Sequence, residues 1–442
     1  MARPIPRIPP DRDLSIDFVR AVCLPVVVLL HALQMGIAGT PPRAFNALEG
    51  WPPLAWATWI GMIMPTFFIA GGFAGITTWR RLHGRGETAA EYIRTRTLRL
   101  ARPVVGAMAG VLVVLGFLAA FGADVGFLAS FAHRLAEPLW FIAVYAICTA
   151  FVPLMARLHR LRPWTTYFGL AAAVVTVDLV TRFAGIPLAP LNWLLVWLFV
   201  QQLGFGVRDG WYARRPRWLL ALLALAAYAL MAVAVFGLGY SNDMLDNLNP
   251  PTVLILLLGL AQVYLFTLLQ PVIRRLMGRR PTLLVVGALG MFGMVVYLWH
   301  TVAMGIVVGI QLALRLPFPE PLSADWWVTR PLWILSISVA VAGFCLVVPK
   351  LETLWPEPTS TPVPLWGAVA ATAAHVVGVG LVLVQGYLSW TTVPALVLLT
   401  GAIVWLTLGG PNRGSAGGRR LLAAMRRAPS DKSRTGRAQQ FS

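Results

Sequence analysis

Apolar runs of about 20 residues recur from one end of this chain to the other. As a helix, a run of that length covers the ~30 Å hydrocarbon core of a bilayer. The runs are continuous, not alternating, which excludes an outer-membrane barrel. They fall at about Leu14–Ala38, Leu54–Trp79, Pro103–Gly122, Pro138–Ala156, Trp164–Thr181, Pro190–Val207, Trp218–Leu238, Pro251–Ile273, Leu283–Leu314, Pro331–Val348, Pro364–Gln385 and Thr392–Leu408. The expected fold is therefore all-α, a polytopic membrane bundle of about twelve transmembrane helices. With 58% hydrophobic and only 12% charged residues over 442 positions, no soluble domain fits.

The net charge of +19 does not call for nucleic acid, because the arginines sit in short connections between runs. They crowd alternate connections: Arg80–Arg102, then Arg157, Arg160 and Arg162, then Arg208, Arg214, Arg215 and Arg217, then Arg274, Arg275, Arg279 and Arg280. The intervening connections carry Asp124, Glu137, Asp243, Asp246, Glu320 and Asp325. Under the positive-inside rule both termini are expected in the cytoplasm. The first run is expected to be a retained span, since no small-residue cleavage site follows it. Leu283–Leu314 is too long for one upright span, so it is expected to tilt or to begin in the interface. Cys23, Cys148 and Cys345 all lie in apolar runs and read as free thiols.

One histidine in the first run constrains the chemistry. Arg20 and His31 are eleven residues apart. On a helix they point within roughly 20° of each other and lie ~16 Å apart along the axis. One face thus carries a cation at the membrane edge and an imidazole deeper in. A histidine in hydrocarbon either hydrogen-bonds a neighbouring helix or serves chemistry. His300, in Tyr297-Leu-Trp-His300, and His375 also lie in runs, whereas His83, His133 and His159 fall in connections. No histidines have metal-ligand spacing on one helix, so no zinc site is expected. There is no Walker A sequence and no nucleophile elbow. Asp178 is the one carboxylate well inside a run, and it is expected to pair locally with Arg182.

What remains is a base without a protein nucleophile. Neutral imidazole can take a proton from a hydroxyl while that hydroxyl attacks an activated carbonyl. An arginine on the same face could hold a donor's phosphate. A coenzyme A thioester is cytosolic, charged and already activated, and it fits both groups.

These residues resemble a known family. The Arg20/His31 spacing, with Asp17-Phe-Val-Arg20 as its entry, is similar to the first span of the acyltransferase 3 family of integral membrane acyltransferases. Met64-Pro-Thr-Phe-Phe-Ile-Ala-Gly-Gly-Phe73 resembles its second-span signature, and Arg96-Thr-Leu-Arg99-Leu its basic third-span entry. Pro138-Leu-Trp-Phe-Ile-Ala-Val-Tyr145 and Tyr297-Leu-Trp-His300 resemble two later motifs. Asn192-Trp193 through Gln201-Gln-Leu-Gly-Phe205 is similar to a stretch of an actinobacterial branch, with Gln201 where that branch often has histidine.

The resemblance covers about Leu14 to Pro349 and implies a ten-helix acyltransferase core, followed by two additional helices that carry His375. The expected organisation is a cytoplasmic segment over 1–13, the acyltransferase domain over 14–349, two further helices over 350–410 and a basic disordered tail over 411–442. The resemblance implies acyl-CoA as co-substrate, with no tightly bound cofactor. It implies transfer of a short acyl group, acetyl first, to a hydroxyl of a glycan, lipid-linked sugar or small metabolite at a bacterial cell membrane. His31 would be the general base and Arg20 would orient the donor. Arg96, Arg99, Phe67, Phe68, Gly72, Trp140, Tyr297 and His300 would bind acyl-CoA or line the cavity. The glycines of the second run also read as a strip for close helix packing. Expected partners are acyl-CoA, the acceptor and membrane lipids, with no nucleic acid.

Two other classes compete. About twelve spans with both ends inside is also a transporter layout. Against it, the halves show no repeat, the spans lack acidic groups for proton coupling, and the connection after the second run lacks a major-facilitator Gly-x-x-x-Asp-x-x-Gly-Arg pattern. In a non-catalytic lipid-binding or scaffold protein, His31 would be a packing residue only.

Overall fold

The computed structural model describes residues 13–409. The expected amino-terminal segment, apart from Asp13, and the expected basic tail from residue 411 lie outside the described residues. The helices are α1 (Leu14–Gln34), α2 (Pro52–Gly61), α3 (Met64–His83), α4 (Ala89–Ala120), α5 (Val125–Ala136), α6 (Leu139–Leu161), α7 (Pro163–Ala184), α8 (Asn192–Arg208), α9 (Arg217–Leu238), α10 (Val253–Met277), α11 (Arg280–Ala313), α12 (Ala324–Glu352), α13 (Leu365–Gln385) and α14 (Thr392–Leu408). Strands β1 (Met35–Ala38) and β2 (Arg43–Asn46) form one antiparallel hairpin after α1. Eleven helical segments among the described residues are long and apolar enough to cross a membrane, and Thr392–Leu408 is a shorter apolar helix of 17 residues. All twelve expected runs are thus helical, in a multi-pass membrane bundle.

Several boundaries differ from the sequence reading, each for a local reason. The second run is two helices, broken at Met62 and Ile63, where Pro65 supplies no amide donor to the turn before it. The expected Arg80–Arg102 loop is mostly helix. Helix α3 continues to His83, and α4 starts at Ala89, where the Thr88 hydroxyl accepts from the Glu91 amide at 3.2 Å. Helix α5 was expected as a loop, but Asp124 caps it by accepting from the Phe127 amide at 2.9 Å. Helix α11 is one unbroken helix of 34 residues, about 50 Å long.

Five helices form a ring. Helix α1 packs on α3 and α11, α3 on α6, α6 on α4, and α4 on α11. Helix α8 backs α3 and α6, α10 backs α3 and α8, and α12 lies outside α11. All the arginine-rich connections lie at one end of this ring, since successive spans run in opposite directions.

The tightest contact is between α3 and α8. A Cβ on Gly72 would sit 2.2 Å from the Gln201 carbonyl oxygen, and one on Gly204 would sit 2.1 Å from that of Ile69. Backbone meets backbone here, so only glycine fits. Gly71 and Gly75 face α6 instead, against Tyr145 and Val152. The paired glycines therefore let α3 sit between α6 and α8.

Two arginines expected as loop charges anchor α13 and α14. The buried Arg94 donates to the carbonyls of Leu406 (2.7 Å), Thr359 (2.8 Å) and Thr361 (3.1 Å). It thus occupies the negative end of α14, whose last carbonyls lack helical partners. Arg102 donates to the Pro356 carbonyl at 2.7 Å, and Thr97 bonds Thr372 of α13 at 2.7 Å. The expected Asp178–Arg182 ion pair is replaced by a relay through Tyr240. The tyrosine hydroxyl donates to Asp178 at 3.0 Å, while the Arg182 guanidinium lies 4.2 Å from its ring centre. Arg182 spends its donors on the Leu238 and Gly239 carbonyls at the end of α9.

Gly204→Ala should lower stability by about 1–3 kcal/mol, the range for an overpacked contact. Gly287→Ala, where an added Cβ meets nothing within 4 Å, should be neutral. Thermal unfolding of both variants in the same detergent checks the contrast, and equal unfolding temperatures would contradict it.

Candidate active site

His31 sits in the last turn of α1 and His300 near the middle of α11. The helices bring their rings together: His31 Nδ1 lies 2.9 Å from His300 Nε2. The ring planes differ by only 8° and the centroids are 5.1 Å apart. That separation exceeds the nitrogen spacing by nearly two ring radii, so the rings meet edge to edge in one plane. His300 Nδ1 faces the Tyr297 backbone carbonyl. A carbonyl only accepts, which places a proton on that nitrogen and leaves His300 Nε2 as an acceptor. His31 Nδ1–H then donates to it, and His31 Nε2 keeps its lone pair. His300 is fully buried while His31 is half-buried, and no described residue bonds His31 Nε2.

The surrounding bonds hold this pair in place. The Trp333 indole N–H donates to the Ala32 carbonyl at 2.9 Å, and the Ala47 amide donates to that of Gln34 at 2.9 Å. Together they occupy carbonyls of the final turn of α1, which has no helix beyond it to bond them. The Tyr297 hydroxyl donates to the Pro138 carbonyl at 2.5 Å, tying α11 to the start of α6.

An aromatic wall runs from the histidines toward the arginine-rich end. Tyr297 packs edge-on against Phe141 at 5.0 Å, and Phe141 stacks on Tyr145 at 5.3 Å. Phe67 and Phe68 both meet Phe141 edge-on, at 5.0 and 5.6 Å. Phe68 also stacks on Trp197 at 4.2 Å, and Trp197 meets Trp140 at 5.7 Å. At the wall's other end, Arg99 is within electrostatic reach of Tyr145, Arg96 and Arg20, and Arg96 lies 5.5 Å from the Tyr92 ring centre.

The expected site residues thus form two groups joined by a wall. His31, His300, Tyr297, Phe67 and Phe68 lie together, Arg20, Arg96 and Arg99 lie together, and Trp140 stands at the wall's edge. Gly72 makes the packing contact with Gln201 already described, and that contact fills the space a cavity wall would need. Gln201 itself donates to the Cys148 carbonyl at 2.9 Å. His375 is buried in α13 with both ring nitrogens unpartnered among the described residues. No group of three or more His, Cys, Asp or Glu side chains among the described residues could hold a metal.

Sequence reasoning quoted Phe141 and Tyr145 within a motif without naming them as site residues, and missed Trp197 and Arg134. In helices that are apolar all round, periodicity does not say which aromatic faces inward. Arg134 pairs with Glu137 and is within electrostatic reach of His31. His159 was missed too. It is a buried residue of α6 whose Nε2 lies 3.1 Å from Asp209, and its ring stacks on Trp211 at 4.7 Å. Arg80 pairs with both oxygens of the same carboxylate. This clamp joins α3, α6 and the segment after α8 at the arginine-rich end.

A model of the acyltransferase 3 family, described as an acyltransferase domain, matches residues 13–348. No curated protein and no solved structure matches the chain.

The clamp has a pH signature. Partial burial pushes the Asp209 carboxyl up, but hydrogen bonds from His159 and Arg80, with the guanidinium charge, hold it well below the ordinary carboxylate range. A depressed carboxyl contributes stability above its unfolded value of about 4 and loses it as pH falls toward the folded value. Asp209→Asn should therefore unfold at a lower temperature than the native chain at pH 7, with the gap narrowing below about pH 4. A gap of the same size at pH 7 and pH 3 would rule out the ionised clamp.

Proposed function

We propose, since the chain belongs to the acyltransferase 3 family and is a membrane acyltransferase, that it moves a short acyl group from acyl-CoA to an acceptor hydroxyl with His31 as general base. The observation that carries this reading is the His31–His300 bond, which leaves His31 Nε2 unpartnered among the described residues, between two helices of the five-helix ring. The arginine-rich end faces the cytoplasm of a bacterial cell under the positive-inside rule, with both termini there. Acyl-CoA then enters beside Arg20, Arg96 and Arg99, whose guanidiniums pair with its phosphates. Arg20 and His31 are ~16 Å apart along α1, a separation that an extended pantetheine arm spans along the Phe67, Tyr145 and Phe141 wall. Tyr297 and Phe68 line the space at the thioester.

His31 Nε2 takes the proton of the acceptor hydroxyl as that oxygen bonds to the thioester carbonyl carbon. The carbon–sulfur bond breaks, and the departing CoA thiolate takes the proton from His31. The products are an ester and free CoA thiol, so atoms and charge balance. While His31 holds the proton, His300 Nε2 accepts from His31 Nδ1–H, and the Tyr297 carbonyl accepts from His300 Nδ1–H. This relay supports the charge as it forms and fixes the tautomer, the role an acidic partner plays in other acyl transfer sites. The acceptor is a glycan, lipid-linked sugar or small metabolite, and acetyl is the favoured acyl group, as the resemblance to the family implies.

His31→Ala should abolish transfer while leaving insertion and folding intact. Labelled acetyl-CoA with inverted membrane vesicles and glycan or lipid extracts provides the assay; undiminished transfer would remove the base assignment. Arg20→Ala should weaken acetyl-CoA binding by about tenfold, as expected for one charged phosphate contact, with unchanged expression. Unaltered affinity would take the donor role from Arg20.

A further inference from the structure

Arg330 stands in the second turn of α12, at the end of the bundle opposite the arginine-rich connections. It is only 8% exposed. No described residue accepts a hydrogen bond from it or pairs with its charge, and its Nε is enclosed without a partner. Its guanidinium lies 4.5 Å from the Trp326 ring centre and 5.2 Å from that of Trp333. Those faces offset part of the charge but accept none of its N–H donors well. Arginine stays charged at any working pH, and burial without an anion leaves that charge poorly compensated.

The cleft that Arg330 lines is shared with Trp326, Trp333, Gln311, Met35 and Ile37. The Gln311 amide has no hydrogen-bond partner among the described residues. The free space is that of roughly one water. The cleft connects to the turn that carries the candidate base through Trp333. Trp333 bonds the Ala32 carbonyl, next in sequence to His31, and Met35 lies one turn beyond it.

We infer that Arg330, with Gln311 beside it, forms a subsite for a carboxylate carried by the acceptor. The inference rests on the reading of His31 as the base that meets the acceptor hydroxyl. A carboxylate edge matches the guanidinium fork and, being planar, needs less widening of the slot than a tetrahedral phosphate, which is bulkier in every direction. Held there, an acidic acceptor presents its neighbouring hydroxyl toward the last turn of α1. A neutral acceptor leaves the buried charge uncompensated, so the site discriminates by what it fails to satisfy.

Three sugar-sized probes without hydroxyl groups test this apart from acyl transfer: cyclohexanecarboxylate, cyclohexanecarboxamide and cyclohexyl phosphate. Titration calorimetry on the full chain in lipid nanodiscs at low salt, without donor, measures each affinity. The native chain should bind the carboxylate about tenfold or more tighter than the carboxamide and tighter than the phosphate. Arg330→Gln should bring carboxylate binding down to the carboxamide level, while Arg330→Lys, which keeps the charge, should retain most of it. Equal native affinities for carboxylate and carboxamide, a preference for the phosphate, or full carboxylate binding by Arg330→Gln would each overturn the subsite. The native comparison stands even if Arg330→Gln does not fold. Because the probes cannot be acylated, a negative result here leaves the His31 assignment untouched, and loss of transfer in His31→Ala leaves the subsite untouched.

Discussion

The bond between His31 and His300 organises the candidate site. It joins the end of the first span to the middle of a span more than 260 residues later. It also fixes the two rings, between α1 and α11 of the five-helix ring, at the depth where chemistry is proposed. A pair of neutral imidazoles brings no formal charge into hydrocarbon, where a histidine–carboxylate pair would bring one. The near absence of acidic residues from the spans is therefore consistent with catalysis by a base. The orienting role passes instead to a backbone carbonyl, that of Tyr297, which costs nothing to bury because helix formation has already desolvated it.

The ring depends on contacts that carry no chemistry. Gly72 and Gly204 let α3 and α8 meet backbone to backbone. That approach sets Phe68 against Trp197, and through Phe141 it sets the wall against Tyr297. Helix association in lipid has little hydrophobic driving force, so close packing and buried hydrogen bonds must supply it. Arg94 does this for the last two helices: one guanidinium bonds the end of α14 and the turn before α13. The same helix, α4, thus supplies Arg94 and Arg102 to structure and Arg96 and Arg99 to the candidate donor site.

Much of this was legible in the chain. Run length gave the spans, and an eleven-residue spacing put Arg20 and His31 on one face. Ordered motifs gave the family. Two kinds of feature were hidden. Short polar-flanked elements, the hairpin over 35–46 and α5, lack the length that identifies a span. Long-range partners were hidden because nothing local marks them. His159 looked like a loop residue until Asp209 met it, and the arginines of the basic stretch looked alike although two point at backbone carbonyls 250 or more residues later.

Arg94 and Arg330 show how the same buried cation can be read in two ways. Both are more than nine-tenths buried. Arg94 has its donors spent on carbonyls at a helix end, where the backbone dipoles supply compensating charge together with the Glu91 carboxylate 3.4 Å away, and its burial is complete as it stands. Arg330 has two indole faces and no acceptor. Packing alone explains the first, since removing the arginine would strand the carbonyls. It does not explain the second: an apolar side chain of similar volume would fill the space between the tryptophans at lower cost. The difference lies in the unmet hydrogen bonds rather than in the burial, and it assigns structure to one end of the bundle and recognition to the other.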